Sequence, residues 1–122
     1  MKEFAFSRAS RLRLKKEFEA VFAAGRRTAT RDLVTWHLPA GDKEKKIGLM
    51  VSKKIGGAVK RNRLKRLLRE AFRLNSRELK EGTRLIIYPK AGCAVNNLAQ
   101  AERALDEVRH RARLENDGKN RS

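Results

Sequence analysis

The sequence feature that most constrains the fold is an amphipathic segment at residues 59–75. Its apolar side chains recur at the three- and four-residue intervals of an α-helix; they are Leu64, Leu67, Leu68, Ala71 and Phe72. At about 100° per residue, the opposite arc carries Asn62, Arg66, Arg69 and Arg73. One face of this predicted helix must therefore pack on a core, while the other presents a row of basic groups.

The charge of the whole chain indicates what that basic face meets. There are 31 Lys and Arg against 14 Asp and Glu, a formal net charge of +17. Only Glu70 interrupts the stretch from Lys53 to Leu74, so the acidic partners needed for i,i+4 ion pairs are scarce. This imbalance favours a polyanion, and nucleic acid before a membrane surface.

Membrane insertion and export are not indicated. The longest apolar runs, such as residues 85–88, are far shorter than the roughly 20 residues of a spanning helix. Residues 1–13 have no apolar core of a secretory signal, so we expect a cytoplasmic protein. The single Cys93 excludes an intramolecular disulfide and a cysteine-rich zinc site.

The start of the amphipathic helix is predicted to bind an anion. Its first turn offers unpaired N–H groups and the positive end of the helix dipole. Gly56 and Gly57 precede it and allow positive φ and close backbone approach. The basic residues clustered around this turn are Lys53, Lys54, Arg61, Arg63 and Lys65.

Five further helical or extended patterns complete the chain. Leu14, Phe18, Val21 and Phe22 predict a first helix, which Gly25 is expected to end in a left-handed conformation. Two-residue alternation predicts strands at 33–38 and 47–51, joined by a polar hairpin-type loop at 40–46. A buried strand is expected at 83–88, and a last helix is expected to begin at the N-cap Asn97.

The order is helix, two or three strands, helix, strand, helix. Since each helix has one apolar face, we expect an α+β two-layer sandwich with the helices on one side of a small sheet. The 122 residues suit a single domain, with an ordered core at about 10–114 and a polar tail at 115–122.

The central stretch also resembles a known family. The residues Lys53-Lys54-Ile55-Gly56, Ala58-Val59 and Arg61-Asn62-Arg63-Leu64-Lys65-Arg66 are similar to the signature of the bacterial ribonuclease P protein subunit, including its Arg-Asn-Arg motif. The resemblance extends to Arg11-Leu12, Phe18, Phe22 and Gly48. It implies three helices on a four-stranded sheet in the order αβββαβα, with a βαβ crossover of the uncommon left hand.

The resemblance implies a function without protein catalytic or metal-binding residues. In the family, a large RNA subunit uses magnesium, bound mainly by the RNA, to remove the 5′ leader of precursor tRNA, and the protein grips that leader. One protein per RNA is expected. The residues matching the family's RNA-contacting motif are Lys53, Lys54, Arg61, Asn62, Arg63, Lys65, Arg66 and Arg69. Those matching its leader cleft are Phe18, Phe22 and Trp36.

Departures and alternatives remain open at this point. Leu33 stands where the family often has an aromatic residue, and Gly57 where it often has Asn. By helix pattern alone, Phe18 and Phe22 are as suited to a core as to stacking on RNA. A ribosomal or DNA-compacting protein would have similar charge. A stand-alone ribonuclease using His37 and His110 is disfavoured because nothing in their spacing brings them together.

Overall fold

The structure of the chain, a computed structural model, describes residues 11–12 and 15–114. Within these residues the elements run α1 Lys15–Ala24, β1 Arg26–Ala29, β2 Leu33–Pro39, β3 Lys46–Leu49, α2 Ala58–Asn75, β4 Thr83–Pro89 and α3 Leu98–Arg111. The predicted α+β class and the αβββαβα order are confirmed. Expectations for residues 1–10, Leu14 and the tail at 115–122 lie outside the described residues. No helix in the described part is long and apolar enough to span a membrane.

The four strands form one mixed sheet in the order β1-β2-β4-β3. β4 pairs antiparallel with β2 and parallel with β3. The predicted hairpin between the second and third strands is therefore wrong, because β4 lies between them. β4 takes the central place because Leu85, Ile86 and Ile87 are all buried, which needs cover on both faces of the sheet.

The loop at 40–46 wraps around the start of β4 and makes no tight turn between its neighbours. Ala40 donates its N–H to the Gly82 carbonyl at 2.7 Å, and Gly82 donates to the Glu44 carbonyl at 2.9 Å. Gly82 has φ +80°, a left-handed conformation that favours glycine. β3, α2 and β4 form a βαβ unit, and its expected left hand stays a prediction.

The helices cover both faces of the sheet, so the expectation that all three pack on one side is wrong. α2 and α3 share a core with Leu33, Ile47, Leu85 and Ile87. α1 packs on the opposite face, where Val21 meets Leu12, Ile86 and the partly buried Phe18, Trp36 and Leu38. The alternation of β2 and β4 divides their apolar residues between these two cores.

The position of strand β1 was not predicted, although the αβββαβα order included a third strand before α2, and the predicted role of Gly25 is wrong. β1 has the sequence Arg-Arg-Thr-Ala and is mostly exposed, so no apolar alternation marks it. Gly25 is not in a left-handed conformation. It is needed because a Cβ there would lie 2.3 Å from the Val21 carbonyl oxygen and 3.0 Å from that of His37. β3 also ends at Leu49, earlier than predicted.

Candidate RNA-binding surface and identification

The buried stripe of α2 sets the direction of its basic face. Leu64, Leu68, Ala71 and Phe72 are buried as predicted from their spacing. Asn62, Arg63 and Arg66 are exposed, while Arg61, Lys65 and Arg69 are half-buried. We call the predicted RNA-contacting set the α2 basic surface; it comprises Lys53, Lys54, Arg61, Asn62, Arg63, Lys65, Arg66 and Arg69.

A short 3₁₀ turn, Lys53–Ile55, leads into α2. Ser52 caps it by accepting a hydrogen bond from the Lys54 N–H at 3.1 Å, and Ile55 is buried. The two lysines of this turn are exposed. The turn therefore displays both ammonium groups beside the start of α2.

The two glycines before α2 differ in their roles. Gly56 has φ +150°, so its predicted positive φ is confirmed. Gly57 has φ −71°, and a Cβ there would meet nothing within 4 Å, so this position does not require glycine. As the N-cap of α2, Gly57 offers no side-chain oxygen to the first N–H groups. Those donors remain suited to an anion.

Two arginines of the Arg-Asn-Arg motif also stabilise the protein backbone around them. Arg61 donates from Nε to the Gly56 carbonyl at 3.1 Å, and Arg63 donates from Nη2 to the Asn96 carbonyl at 2.6 Å. A guanidinium has five N–H donors, so each retains several for another acceptor. This second, structural role was not visible in the sequence.

Several carboxylates of the described chain, Glu70 and Asp42 among them, pair with basic residues outside this surface. Glu70 accepts from Arg73 at 3.0 and 2.5 Å, and this hydrogen bonding lowers the pKa of Glu70. Arg73 was predicted on the basic arc, and it differs from its neighbours there because its guanidinium is already hydrogen-bonded to Glu70. Arg84 pairs with Asp42 at 2.6 Å. Within the described residues, no ion pair involves the seven basic side chains of the α2 basic surface.

A further arginine lies near this surface and was not among the predicted contacts. Arg11 forms a parallel bridge with Ile47, and the Leu12 N–H donates to the Ile47 carbonyl at 3.0 Å. Burial lowers the pKa of Arg69, and the positive charge of nearby Arg11 lowers it further. Only the pairing of residue 11 with β3 brings the two guanidiniums together.

The three predicted leader-cleft residues lie on the face of the sheet that α1 covers. The rings of Phe22 and Trp36 meet edge to face, with centroids 5.0 Å apart and planes at 72°. Phe22 is 39% exposed. Phe18 is half-buried and covers Gly48, where a Cβ would lie 2.7 Å from its Cζ. Phe18, Phe22 and Trp36 are called the aromatic cleft below.

Strand register adds two residues to this face that the sequence did not single out. Arg27 of β1 is opposite Trp36, and Tyr88 of β4 is opposite Val34. Because paired residues share a face, both lie on the same side of the sheet as Trp36. Tyr88 is half-buried and Arg27 is exposed. A cation and a phenol therefore share the face of the aromatic cleft.

The two histidines have unlike surroundings. His37 is buried, and burial, aided by Arg26 and Lys80, lowers its pKa to about 4. His110 is exposed in the last turn of α3, with Asp106 at 3.6 Å. In the described part of the chain, no group of three or more His, Cys, Asp or Glu is placed to hold a metal ion.

Comparison with known proteins decides the family. The family model described as Ribonuclease P matches residues 6–113. The chain belongs to the ribonuclease P protein family. It is 39% identical over 104 residues to the ribonuclease P protein component of an Exiguobacterium species, covering 85% of this chain and 90% of the relative. It is 33% identical to that of Desulfatibacillum aliphaticivorans, with 91% and 94% covered.

Solved ribonuclease P proteins share the fold. The protein from Staphylococcus aureus superposes with a TM-score of 0.79 at 26% identity, covering 89% of this chain and 100% of that one. The protein from Thermotoga maritima gives 0.73 at 28% identity, with 82% and 96% covered. The chain is thus a protein component of ribonuclease P, the ribonucleoprotein endonuclease that matures the 5′ end of tRNA.

Proposed function

We propose that this ribonuclease P protein binds the catalytic RNA through the α2 basic surface and the 5′ leader of precursor tRNA through the aromatic cleft. The RNA performs the cleavage with magnesium that it binds itself, in the cytoplasm and with one protein per RNA. No side chain of the protein acts in the chemical step. The two surfaces lie on opposite faces of the sheet, so one protein can contact both RNAs at once.

The observation that carries the first contact is the separation of charges. Between Glu44 and Glu70 the sequence has no carboxylate, and these two flanking residues pair with Lys46 and Arg73, outside the α2 basic surface. An unpaired guanidinium gains a charge-assisted, often bidentate hydrogen bond when it meets a phosphate. The α2 basic surface therefore contributes more to RNA binding than the arginines already in ion pairs.

The second contact is supported by the geometry of the aromatic cleft. An exposed Phe22 edge beside Trp36 offers apolar rings to bases, and Arg27 offers charge to the backbone. Unpaired bases stack on such aromatic surfaces with little dependence on sequence. A leader of variable sequence suits this kind of binding.

The salt dependence of binding tests the first contact. Each lost phosphate contact should reduce the slope of log affinity against log salt concentration by roughly 1. We expect Arg66→Ala to do so with ribonuclease P RNA. Lys43→Ala is the matched control, because Lys43 is exposed in the 40–46 loop, which contacts the C-terminal end of α2 and lies away from Arg66. Equal slopes for the two variants would contradict the proposal.

Reconstituted cleavage tests the function as a whole. Ribonuclease P RNA and precursor tRNA are incubated at low magnesium with and without the protein, and the protein is also tested without the RNA. We expect cleavage only when the RNA is present and faster cleavage when the protein is added. Cleavage by the protein alone would favour a stand-alone nuclease, and no effect on the RNA would favour a general nucleic-acid-binding protein.

A further inference from the structure

A polar cleft, separate from the aromatic cleft, lies behind the loop whose Asn96 carbonyl Arg63 contacts. It has a volume of about 270 Å³ and opens between the β1–β2 turn, residues 94–95 and the side of α3 that carries Gln100 to Glu107. Its size is near the lower end of small-ligand pockets, which are roughly 300–1,000 Å³. The lining residues are Arg31, Asp32, Ala94, Val95, Gln100, Arg103, Ala104 and Glu107.

The cleft has two cations on facing elements. Arg31 comes from the β1–β2 turn and Arg103 from α3; both are exposed, and neither guanidinium has an ion pair or hydrogen bond to the described residues. The turn that carries Arg31 is fixed by buried Thr30, whose Oγ1 exchanges hydrogen bonds with Leu33 at 3.2 Å. Arg31 therefore stands on a constrained backbone.

The acidic groups of the cleft are already partly engaged. Asp32 accepts the Ala94 N–H at 2.9 Å through Oδ1. Glu107 faces Arg111 at 3.4 Å through Oε2, which leaves Oε1 as an acceptor. The cleft thus offers guanidinium donors for a phosphate and a carboxylate oxygen for a hydroxyl or amino group.

Gln100 adds a neutral donor and links the cleft to the α2 basic surface. Its Oε1 accepts the Asn96 N–H at 2.7 Å, so its NH₂ group is left to donate. The Asn96 carbonyl on the same segment accepts from Arg63. One loop segment therefore separates the cleft from the α2 basic surface.

We propose that this cleft binds one nucleotide of an unpaired RNA strand, with the phosphate on Arg31 and Arg103 and a ribose hydroxyl on Glu107. The proposal rests on the proposed function, because the strand belongs to RNA already held by the neighbouring surface. Recognition of the 2′-hydroxyl by a carboxylate would favour RNA over DNA. Each of the two arginines can bind a phosphate because its guanidinium presents a fork of donors.

Amide NMR of the isotopically labelled full chain tests the site directly. The probes are single-stranded oligouridylate, the matching deoxyoligonucleotide, uridine 5′-monophosphate and inorganic phosphate. We expect oligouridylate to shift the amides of Ala94, Val95 and Gln100, and the deoxy probe to do so more weakly. Shifts with the monophosphate as well would show that a free nucleotide suffices. Equal shifts with inorganic phosphate, or none with any probe, would overturn the proposal.

Variants separate this site from the α2 basic surface. Arg31→Ala and Arg103→Ala should each weaken oligouridylate binding about fivefold, the equivalent of one modest hydrogen bond, and so reduce the shifts of the cleft amides at a fixed, subsaturating probe concentration. Glu107→Gln should reduce the difference between RNA and DNA. Lys43→Ala serves as the charge-matched control. If Arg66→Ala weakens binding of ribonuclease P RNA but the cleft variants leave all shifts in place, only the cleft proposal fails.

Discussion

Truncation of Phe22 separates the two roles that an aromatic residue on α1 can have. Phe22 is 39% exposed, and its ring meets that of Trp36 edge to face with the ring centroids 5.0 Å apart. A fully buried Phe loses about 3–5 kcal/mol of stability on truncation to Ala. Since Phe22 keeps much of its ring in solvent, we expect Phe22→Ala to cost about 1–2 kcal/mol, close to the loss of one aromatic pair plus partial burial.

Phe22→Ala should also weaken leader binding. If one base of the leader stacks on the exposed edge of Phe22, its loss costs about 1–3 kcal/mol, or roughly 5- to 150-fold in affinity. The assay compares the affinity of the reconstituted holoenzyme for precursor tRNA with its affinity for mature tRNA. Only the difference between these two affinities reports on the leader.

Val21→Ala on the same helix is the control for destabilisation. Val21 is 2% exposed in the core beneath α1, so its truncation should lower stability without altering the leader-dependent affinity. Thermal melting places the two variants on one stability scale. The stacking argument is refuted if Phe22→Ala retains the full affinity difference between precursor and mature tRNA.

Two further predictions concern the fold beneath the site. Gly48→Ala would place a Cβ 2.7 Å from Phe18 Cζ, so the ring must move and the melting temperature should fall. Gly41→Ala is the control, because a Cβ there meets nothing within 4 Å, and it should leave the melting temperature unchanged. Equal melting temperatures for the two variants would contradict the Gly48–Phe18 contact. The pKa of His37 is about 4 in the folded protein and 6.5 in the unfolded chain. As the pH falls from 6.5 toward 4, the unfolded chain therefore binds the proton first, and the stability of the folded protein declines. Replacing His37 with Asn should flatten this decline in melting experiments, and the same change at exposed His110 should not; an unchanged profile in the His37 variant would exclude this histidine as the cause.

Regular periodicity made the helices predictable. Leu64, Leu68 and Phe72 recur on one helical face, and the exposed, basic side of α2 follows from their burial. Asn97 caps α3 as its position predicted, accepting the Gln100 N–H at 2.9 Å. Such signals are local, since hydrogen bonding and amphipathicity within a helix involve residues only three or four apart.

The order of strands in the sheet and the set of residues at the site could not be predicted from such local patterns. Strand pairing joins residues distant along the chain, so nothing near β2 or β3 reveals that β4 lies between them. The same pairing brings Arg27 and Tyr88 onto the face of Trp36 and Arg11 beside Arg69. The exposed Arg-Arg-Thr-Ala strand β1 had no apolar pattern to find.

The sequence by itself determined the three amphipathic helices, the excess of positive charge and its concentration at the start of α2, because these depend on residue type and short spacing. The tertiary structure alone decided which arginines are open to RNA. Arg63 also holds the Asn96 carbonyl, and Arg31 and Arg103 line one cleft from elements far apart in sequence. Charge is a property of each residue, but its availability depends on which neighbours the fold places within hydrogen-bonding distance.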